Sequence, residues 1–195
     1  MADKLTIDKS RSVLLCMDLQ SGIVGMLPET GQKTLLDNAS AALAAARRAG
    51  MAVIHIVVRF KSGHPEVSPR NKMFSEVKKA GFLVEGTPIA EIHPRVAPAA
   101  AEPVLAKLRV GAFSTTALET LLRTKNIDTL VLCGFSTSGV VLSTVRWAAD
   151  MDYRLVVVAD ACADPDAEVH RMLVDKVFPA QADVLSARDL VAALA

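Results

Sequence analysis

Two charged residues and one turn carry the chemical content of this chain. Asp18 directly follows an apolar run at residues 13–17, and Lys107 follows a shorter run at 103–106. The turn, Gly134-Phe135-Ser136-Thr137-Ser138-Gly139, joins the apolar residues 130–133 to an amphipathic segment that begins at Val140. A short, continuous apolar run closed by glycine is the pattern of a strand buried on both faces of a parallel sheet. The small hydroxyl residues that follow suit a helix start, where backbone N–H groups and the helix dipole favour negative charge. A carboxylate beside an ammonium can move a proton, its pKa lowered by the ion pair and raised by burial. Backbone N–H groups around Gly139 and Val140 offer a place to hold an oxyanion. Taken singly, these residues have plainer uses: Asp18 as a turn cap, Lys107 as a solvated charge, Ser136 and Ser138 as helix caps.

For the three features to act together, their elements must lie side by side. Strand-like runs at 13–17, 52–58, 103–106, 130–133, 154–159 and 182–185 alternate with helical patterns. The helices are expected at 32–49, 115–123, from 140 onward, 166–176 and 187–194, with residues 21–31 as a loop. No repeat or linker breaks the alternation, which predicts a single domain over residues 1–195 of the α/β class. The expected architecture has three layers, α/β/α, around a mostly parallel sheet of about six strands. Parallel strands share one carboxyl edge, so Asp18, Lys107 and the turn at 136–140 are expected to meet there. Residues 59–101, punctuated by Gly63, Pro65, Pro69, Gly81, Gly86 and Pro88, are the least regular part, with a short helix near 72–79. A connection of that length is expected to serve as a lid or a subunit contact.

Composition narrows the function classes. The 195 residues are 51% hydrophobic and 22% charged with a formal net charge of +1, and the basic residues are scattered. That balance gives no reason to expect nucleic acid or an anionic membrane as partner. No apolar run reaches the roughly 20 residues that span a bilayer, and the polar start of the chain does not read as a signal peptide. Cys16, Cys133 and Cys162 are odd in number and widely spaced, which argues for free thiols and a cytoplasmic setting. His55, His64, His93 and His170 lack metal-ligand spacing, so no metal is expected; neither a dinucleotide fingerprint nor a Walker loop is present, so no cofactor is expected. His55 reads as a strand histidine, and His64 and His170 as surface residues.

The same stretches resemble the isochorismatase-like hydrolases, often called the cysteine hydrolase family. Their turn has a Gly, a Thr three residues on, a Cys six on followed by Val, a Thr ten on and an Ala fourteen on. Gly134, Thr137, Val141, Thr144 and Ala148 fall into that register, and Val140 occupies the cysteine's place. The strand ending in Asp18-Leu19-Gln20 resembles the family's Asp-x-Gln, and Lys107 with Phe113, Thr116 and Leu118 resembles its lysine segment. The resemblance implies an isochorismatase-like, Rossmann-like fold, a small-molecule substrate, a homo-oligomer (dimer or tetramer), and Asp18 and Lys107 as the catalytic pair. It implies Gly139 and Val140 at the oxyanion turn, and a substrate-binding set of Gln20, Arg59, Phe113, Ser136, Thr137 and Ser138. Arg59 reads equally as an anion contact or a surface ion pair, Phe113 as core or substrate wall, and Trp147 as a subunit contact. Valine has no lone pair and cannot replace the thiolate that attacks amide carbonyls in members with cysteine. Isochorismatases proper also lack the cysteine and cleave a vinyl ether by acid–base chemistry, although residues 135–139 do not resemble their turn. Two readings follow: a cysteine-independent hydrolase using Asp18 and Lys107, or a non-catalytic binding or oligomeric member. Cys133 reads as core, and Cys162 as a weak substitute nucleophile.

Overall fold

The computed structural model describes residues 6–195; the polar start of the chain, expected to carry no signal peptide, lies outside the described residues. One sheet runs in the order β3-β2-β1-β4-β5-β6, and each neighbouring pair is parallel. Its strands are β1 (Ser12–Met17), β2 (Ala52–Val58), β3 (Val104–Lys107), β4 (Thr129–Phe135), β5 (Arg154–Ala163) and β6 (Asp183–Leu185). The expected three-layer α/β/α class is therefore correct, with a sheet more uniformly parallel than the sequence suggested.

Every residue of β1 and β4 is buried because helices cover both faces. Side chains alternate across the sheet. Leu14, Cys16, Val131 and Cys133 pack toward α2 (Glu29–Arg48) and α7 (Ala187–Leu194), while Val13, Leu15, Leu130 and Leu132 pack toward α4 (Leu118–Thr124) and α5 (Leu142–Asp150). Helix α2 buries Leu35, Leu36, Ala39, Leu43 and Ala46 at helical spacing, and α7 opens with a reciprocal capping box between Ser186 and Asp189. No helix among the described residues is long and apolar enough to cross a membrane.

Several boundaries differ from expectation, each for a local reason. Residues 21–31 are not all loop: α1 (Ser21–Val24) makes one turn, and α2 begins at Glu29, directly after Pro28. Helix α4 starts at Leu118, not 115, because Thr115 has φ +66° and the Thr116 hydroxyl accepts the Leu118 N–H at 3.2 Å. Strand β5 continues through Asp160 to Ala163, with a register shift against β4 between Leu132 and Gly134. Within 59–101, α3 (Lys72–Lys79) is capped by Asn71, whose side chain accepts the Phe74 N–H. His64 is buried rather than on the surface; its Nε2 lies 2.8 Å from the Phe82 carbonyl and its ring 5.1 Å from that of Phe60.

The strand order reverses between β1 and β4, since the chain winds outward from β1 to β2 and β3, then returns to β4 on β1's other side. In an open α/β sheet such a switch point leaves a crevice beyond the strand ends where ligands bind. The two strands come unusually close there. Gly134, opposite Met17, has φ +146°, and a Cβ at that position would lie 2.1 Å from the Met17 carbonyl oxygen. Glycine is thus required by both conformation and space. Gly134→Ala is expected to destabilise the fold by on the order of 3 kcal/mol, from strain and overpacking together. Chemical denaturation of wild type and variant checks this, and an unchanged midpoint would contradict it.

Candidate active site

Asp18 leaves β1 in the left-handed region, φ +54°, a conformation that short polar side chains tolerate better than most. Its N–H donates to the Ile56 carbonyl at 2.8 Å, which fixes the side chain at the switch point. Lys107 ends β3, two strands away, and its Nζ reaches across the end of β2 to donate to Asp18 Oδ2 at 2.7 Å. A second bond from Nζ to the Arg109 carbonyl, at 3.1 Å, holds the ammonium in place. The two residues are 6% and 1% exposed, so this is a buried ion pair. Burial raises the Asp18 pKa above the ordinary carboxylate value, and the charge and hydrogen bond of Lys107 oppose that rise without cancelling it. The other carboxylate oxygen, Oδ1, is buried and has no hydrogen-bond partner.

A cavity of about 250 Å³ opens beside the pair. Asp18, Lys107, Ser136, Gly139 and Val140 all line it, so the structure brings together the three features singled out in the sequence. A larger groove of about 500 Å³ lies between α2 and the end of β5, but neither Asp18 nor Lys107 lines it. The turn itself is a π turn, Thr137–Val141, following a cis peptide between Phe135 and Ser136. The expected caps are not made: the Ser136 side chain bonds to no backbone N–H of the helix start. Instead the Ser138 N–H donates to Asp164 Oδ2 at 2.7 Å, and the Thr137 hydroxyl pairs with His170 Nδ1 at 2.7 Å. His170 is accordingly a partner of the turn and not a free surface residue. The Gly139 N–H points back to the Ser136 carbonyl at 3.2 Å, an internal bond of the turn.

Of the six residues expected to contact substrate, Ser136 lines the cavity, Ser138 is exposed outside that lining, and the other four are engaged elsewhere. Gln20 is fully buried and spends its amide on backbone: Oε1 accepts the Val58 N–H at 2.8 Å, and Nε2 donates to the carbonyls of Val58 and Ala90 at 2.9 and 2.7 Å. These bonds tie the end of β2 to the loop at Ala90. Arg59 bonds to Glu91 at 2.6 Å and to the Ala90 carbonyl, the surface-pair alternative. Phe113 lines an adjoining hollow, which shares Phe74 and Val110 with the cavity, and its ring stacks 6.4 Å from that of Trp147; Thr137 is sealed from solvent. Sequence reasoning missed the opposite wall, made by Ile23, Met26, Met73, Phe74, Phe82 and Leu83. Its only sequence signal was the apolar spacing of Phe74 and Val77 in an otherwise charged short helix.

None of the three thiols is placed for attack. Cys133 and Cys16 sit in the core with sulfurs 3.8 Å apart, and the bond between them together with burial pushes the Cys133 thiol up. Cys162 lies within β5, on the wall of the larger groove, and burial pushes its pKa up to about 12. Such a thiol carries almost no thiolate at neutral pH. Among the described residues, no group of three or more His, Cys, Asp or Glu side chains is arranged to hold a metal ion.

Residues 12–189 match the isochorismatase domain. The chain belongs to the isochorismatase family. It is 30% identical over 189 residues to maleamate amidohydrolase of Pseudomonas putida, covering 92% of this chain and 84% of that protein. Among solved structures, an isochorismatase family protein of Desulfovibrio vulgaris superposes with a TM-score of 0.84 at 28% identity, over 94% of this chain and 98% of that one. A cysteine hydrolase of Pseudomonas syringae pv. phaseolicola gives a TM-score of 0.86 at 22% identity, over 100% and 98%, a likeness of fold. Membership of a family of hydrolases makes this protein a hydrolase by descent, built on the isochorismatase-like three-layer frame.

The raised pKa of Asp18 has a consequence for stability. Between the unfolded carboxyl value, near 3.8, and the higher folded value, the native state holds a proton that the unfolded chain has released. Wild-type stability is therefore expected to fall relative to Asp18→Asn as pH rises through that window toward neutrality. Denaturant titrations of both proteins across the acid range measure the difference. A difference that grows in favour of wild type with pH would show that attraction to Lys107 outweighs burial.

Proposed function

We propose that this isochorismatase-family protein hydrolyses a small molecule by acid–base chemistry between Asp18 and Lys107, with water in place of a cysteine thiolate. The observation that carries the reading is the ion pair itself, buried, 2.7 Å long, with one carboxylate oxygen unpartnered and both residues lining the cavity. A buried ion pair seldom stabilises a fold beyond apolar packing, so stability alone does not account for it. The raised Asp18 pKa favours a carboxyl that holds a proton ready for transfer. That proton goes to the leaving heteroatom or vinyl carbon of the substrate, and water adds to the electrophilic carbon. The proton water then releases returns to Asp18, so the pair is regenerated. Lys107 keeps its charge throughout and orients the carboxyl through Oδ2. The amidohydrolase activity named for the Pseudomonas putida relative supports a C–N bond as the target.

Val140 supports a second reading. Its side chain is 2% exposed and fills the wall where a nucleophile would stand, as expected of a member that binds a small molecule without turning it over.

A hydrolysis screen over small amides and vinyl ethers separates the two. Under the first reading, Asp18→Asn lowers turnover by about 10²–10⁴, the usual worth of general acid–base catalysis. Lys107→Met does similar damage, and the double variant loses less than the product because the residues act as a unit. The wild-type rate falls as pH rises through the raised Asp18 pKa, and that limb is missing in Asp18→Asn. Iodoacetamide leaves turnover unchanged. Hydrolysis that survives Asp18→Asn, or that thiol labelling abolishes, overturns the assignment; binding without hydrolysis transfers it to the second reading.

A further inference from the structure

The hollow of about 260 Å³ that adjoins the Asp18 cavity has a polar lining of its own, made by Asn71, Arg109, Ser114 and Ser143. No acidic residue takes part in it. Arg109 follows Lys107 by two residues, and its guanidinium donates through Nη1 to the Leu108 carbonyl and through Nη2 to the Glu66 carbonyl at 3.3 Å. Carbonyl oxygens accept the hydrogens but carry no net charge to balance the guanidinium. The Glu66 carboxylate does not supply it: its Oε1 accepts the Lys61 N–H at 3.1 Å, and its Oε2 has no partner.

Arg109 thereby differs from the other arginines of the chain. Arg11, Arg47, Arg59, Arg95, Arg123 and Arg154 each pair with a carboxylate. The remaining ones, Arg48, Arg70, Arg146, Arg171 and Arg188, are exposed to water. Only Arg109 is partly buried without a carboxylate partner. Withdrawing a cation from water without a counter-ion is unfavourable, and a carboxylate held by the guanidinium fork offsets that loss.

The groups around Arg109 suit the same occupant. Asn71 uses its Oδ1 to cap the Phe74 N–H, which leaves its Nδ2 hydrogens without a partner among the described residues. The Ser114 and Ser143 hydroxyls likewise have none. A ligand carboxylate would thus meet one cation and three neutral donors. The carbon next to it would meet the rings of Phe113 and Trp147, of which Trp147 is 51% exposed.

We propose that this hollow is an anion subsite, in which Arg109 holds the carboxylate of a small molecule whose remainder passes Val110 and Phe74 into the cavity. The proposal rests on the reading of the Asp18–Lys107 cavity as the functional site, and it gives the substrate an anionic end apart from the bond that is hydrolysed.

Trp147 is the one tryptophan of the chain, so its emission reports on the hollow. Wild-type protein is titrated with benzoate and 3-phenylpropionate, against benzyl alcohol and benzamide as neutral controls. The carboxylates should shift Trp147 emission and bind roughly tenfold or more tightly than the controls, the usual worth of a hydrogen bond to a charged group. Arg109→Gln should erase that preference, and Arg109→Lys, which keeps the charge without the fork, should retain part of it. Ser143→Asp places a like charge in the hollow while sparing Arg109; it lies in the first turn of α5, where an acidic residue is tolerated. It should weaken benzoate tenfold or more with the melting temperature unchanged. Equal affinity for carboxylates and controls overturns the subsite, as does a preference that survives both Arg109→Gln and Ser143→Asp. Carboxylates that leave Trp147 emission unchanged overturn it too. The catalytic reading is judged separately: carboxylate binding at Arg109 in a protein that hydrolyses nothing supports the subsite and ends that reading. Hydrolysis of neutral molecules without carboxylate binding does the reverse.

Discussion

Asp18 and Lys107 stand at the ends of strands that are not neighbours, so their contact spans the end of β2 and depends on both flanks of the sheet edge. Each ion loses several kcal/mol of hydration on burial, and removing one partner of such a pair typically costs about 3–5 kcal/mol. The surroundings are built to keep the pair together. Gln20 binds the last peptide groups of β2 through both ends of its amide, and the Arg109 carbonyl takes a second ammonium hydrogen. Even so, one carboxylate oxygen remains unbonded. Among the described residues, Asp18 Oδ1 and Glu66 Oε2 are the buried side-chain oxygens left without a partner, and the first belongs to the ion pair.

The switch point explains why the incompleteness sits there. Main-chain atoms of β1 and β4 approach so closely at Met17 and Gly134 that no side chain fits between them. Beyond that contact the two strands diverge, one into the left-handed turn at Asp18 and the other into the π turn at Thr137–Val141. The turn is secured by Asp164, just past β5, which accepts the Ser138 N–H, and by His170 of α6 (Ala167–Met172), which pairs with the Thr137 hydroxyl. Its hydroxyls thus divide between two tasks. Thr137 anchors the turn to the scaffold, and Ser136 is left to face the cavity.

Much of this frame was legible in the sequence because its signals are local. Apolar runs marked every strand, and their alternation with helical spacing settled the class. The shared carboxyl edge of parallel strands then brought Asp18, Lys107 and the turn together across 122 positions of chain, from 18 to 140. What escaped depended on partners distant in sequence. Gln20, Arg59 and Phe113 carry groups that suit a ligand equally well, and only their bonds to Val58, Glu91 and the Trp147 ring show them occupied. His64 and His170 read as surface for the same reason. The α3 wall was hidden because a short, charged helix buries few side chains, and no periodicity in it tells which cavity Phe74 faces.

The absence of a cysteine at position 140 fits the electrostatics of the site rather than standing as an isolated loss. A thiolate needs a neighbouring positive charge or unoccupied N–H groups to keep its pKa low. Here the one cation on the wall is already paired with Asp18, the Gly139 N–H is turned to the Ser136 carbonyl, and most of the remaining wall is hydrocarbon. Burial by itself favours the neutral form of a thiol, as it does at Cys162. The same wall raises the pKa of Asp18, which hinders a nucleophile but assists an acid. Burial therefore acts on the two chemistries with opposite effect. A valine at 140 and a carboxyl with a raised pKa at 18 thus share one largely apolar cavity, where burial opposes a thiolate and favours the protonated form of a carboxyl.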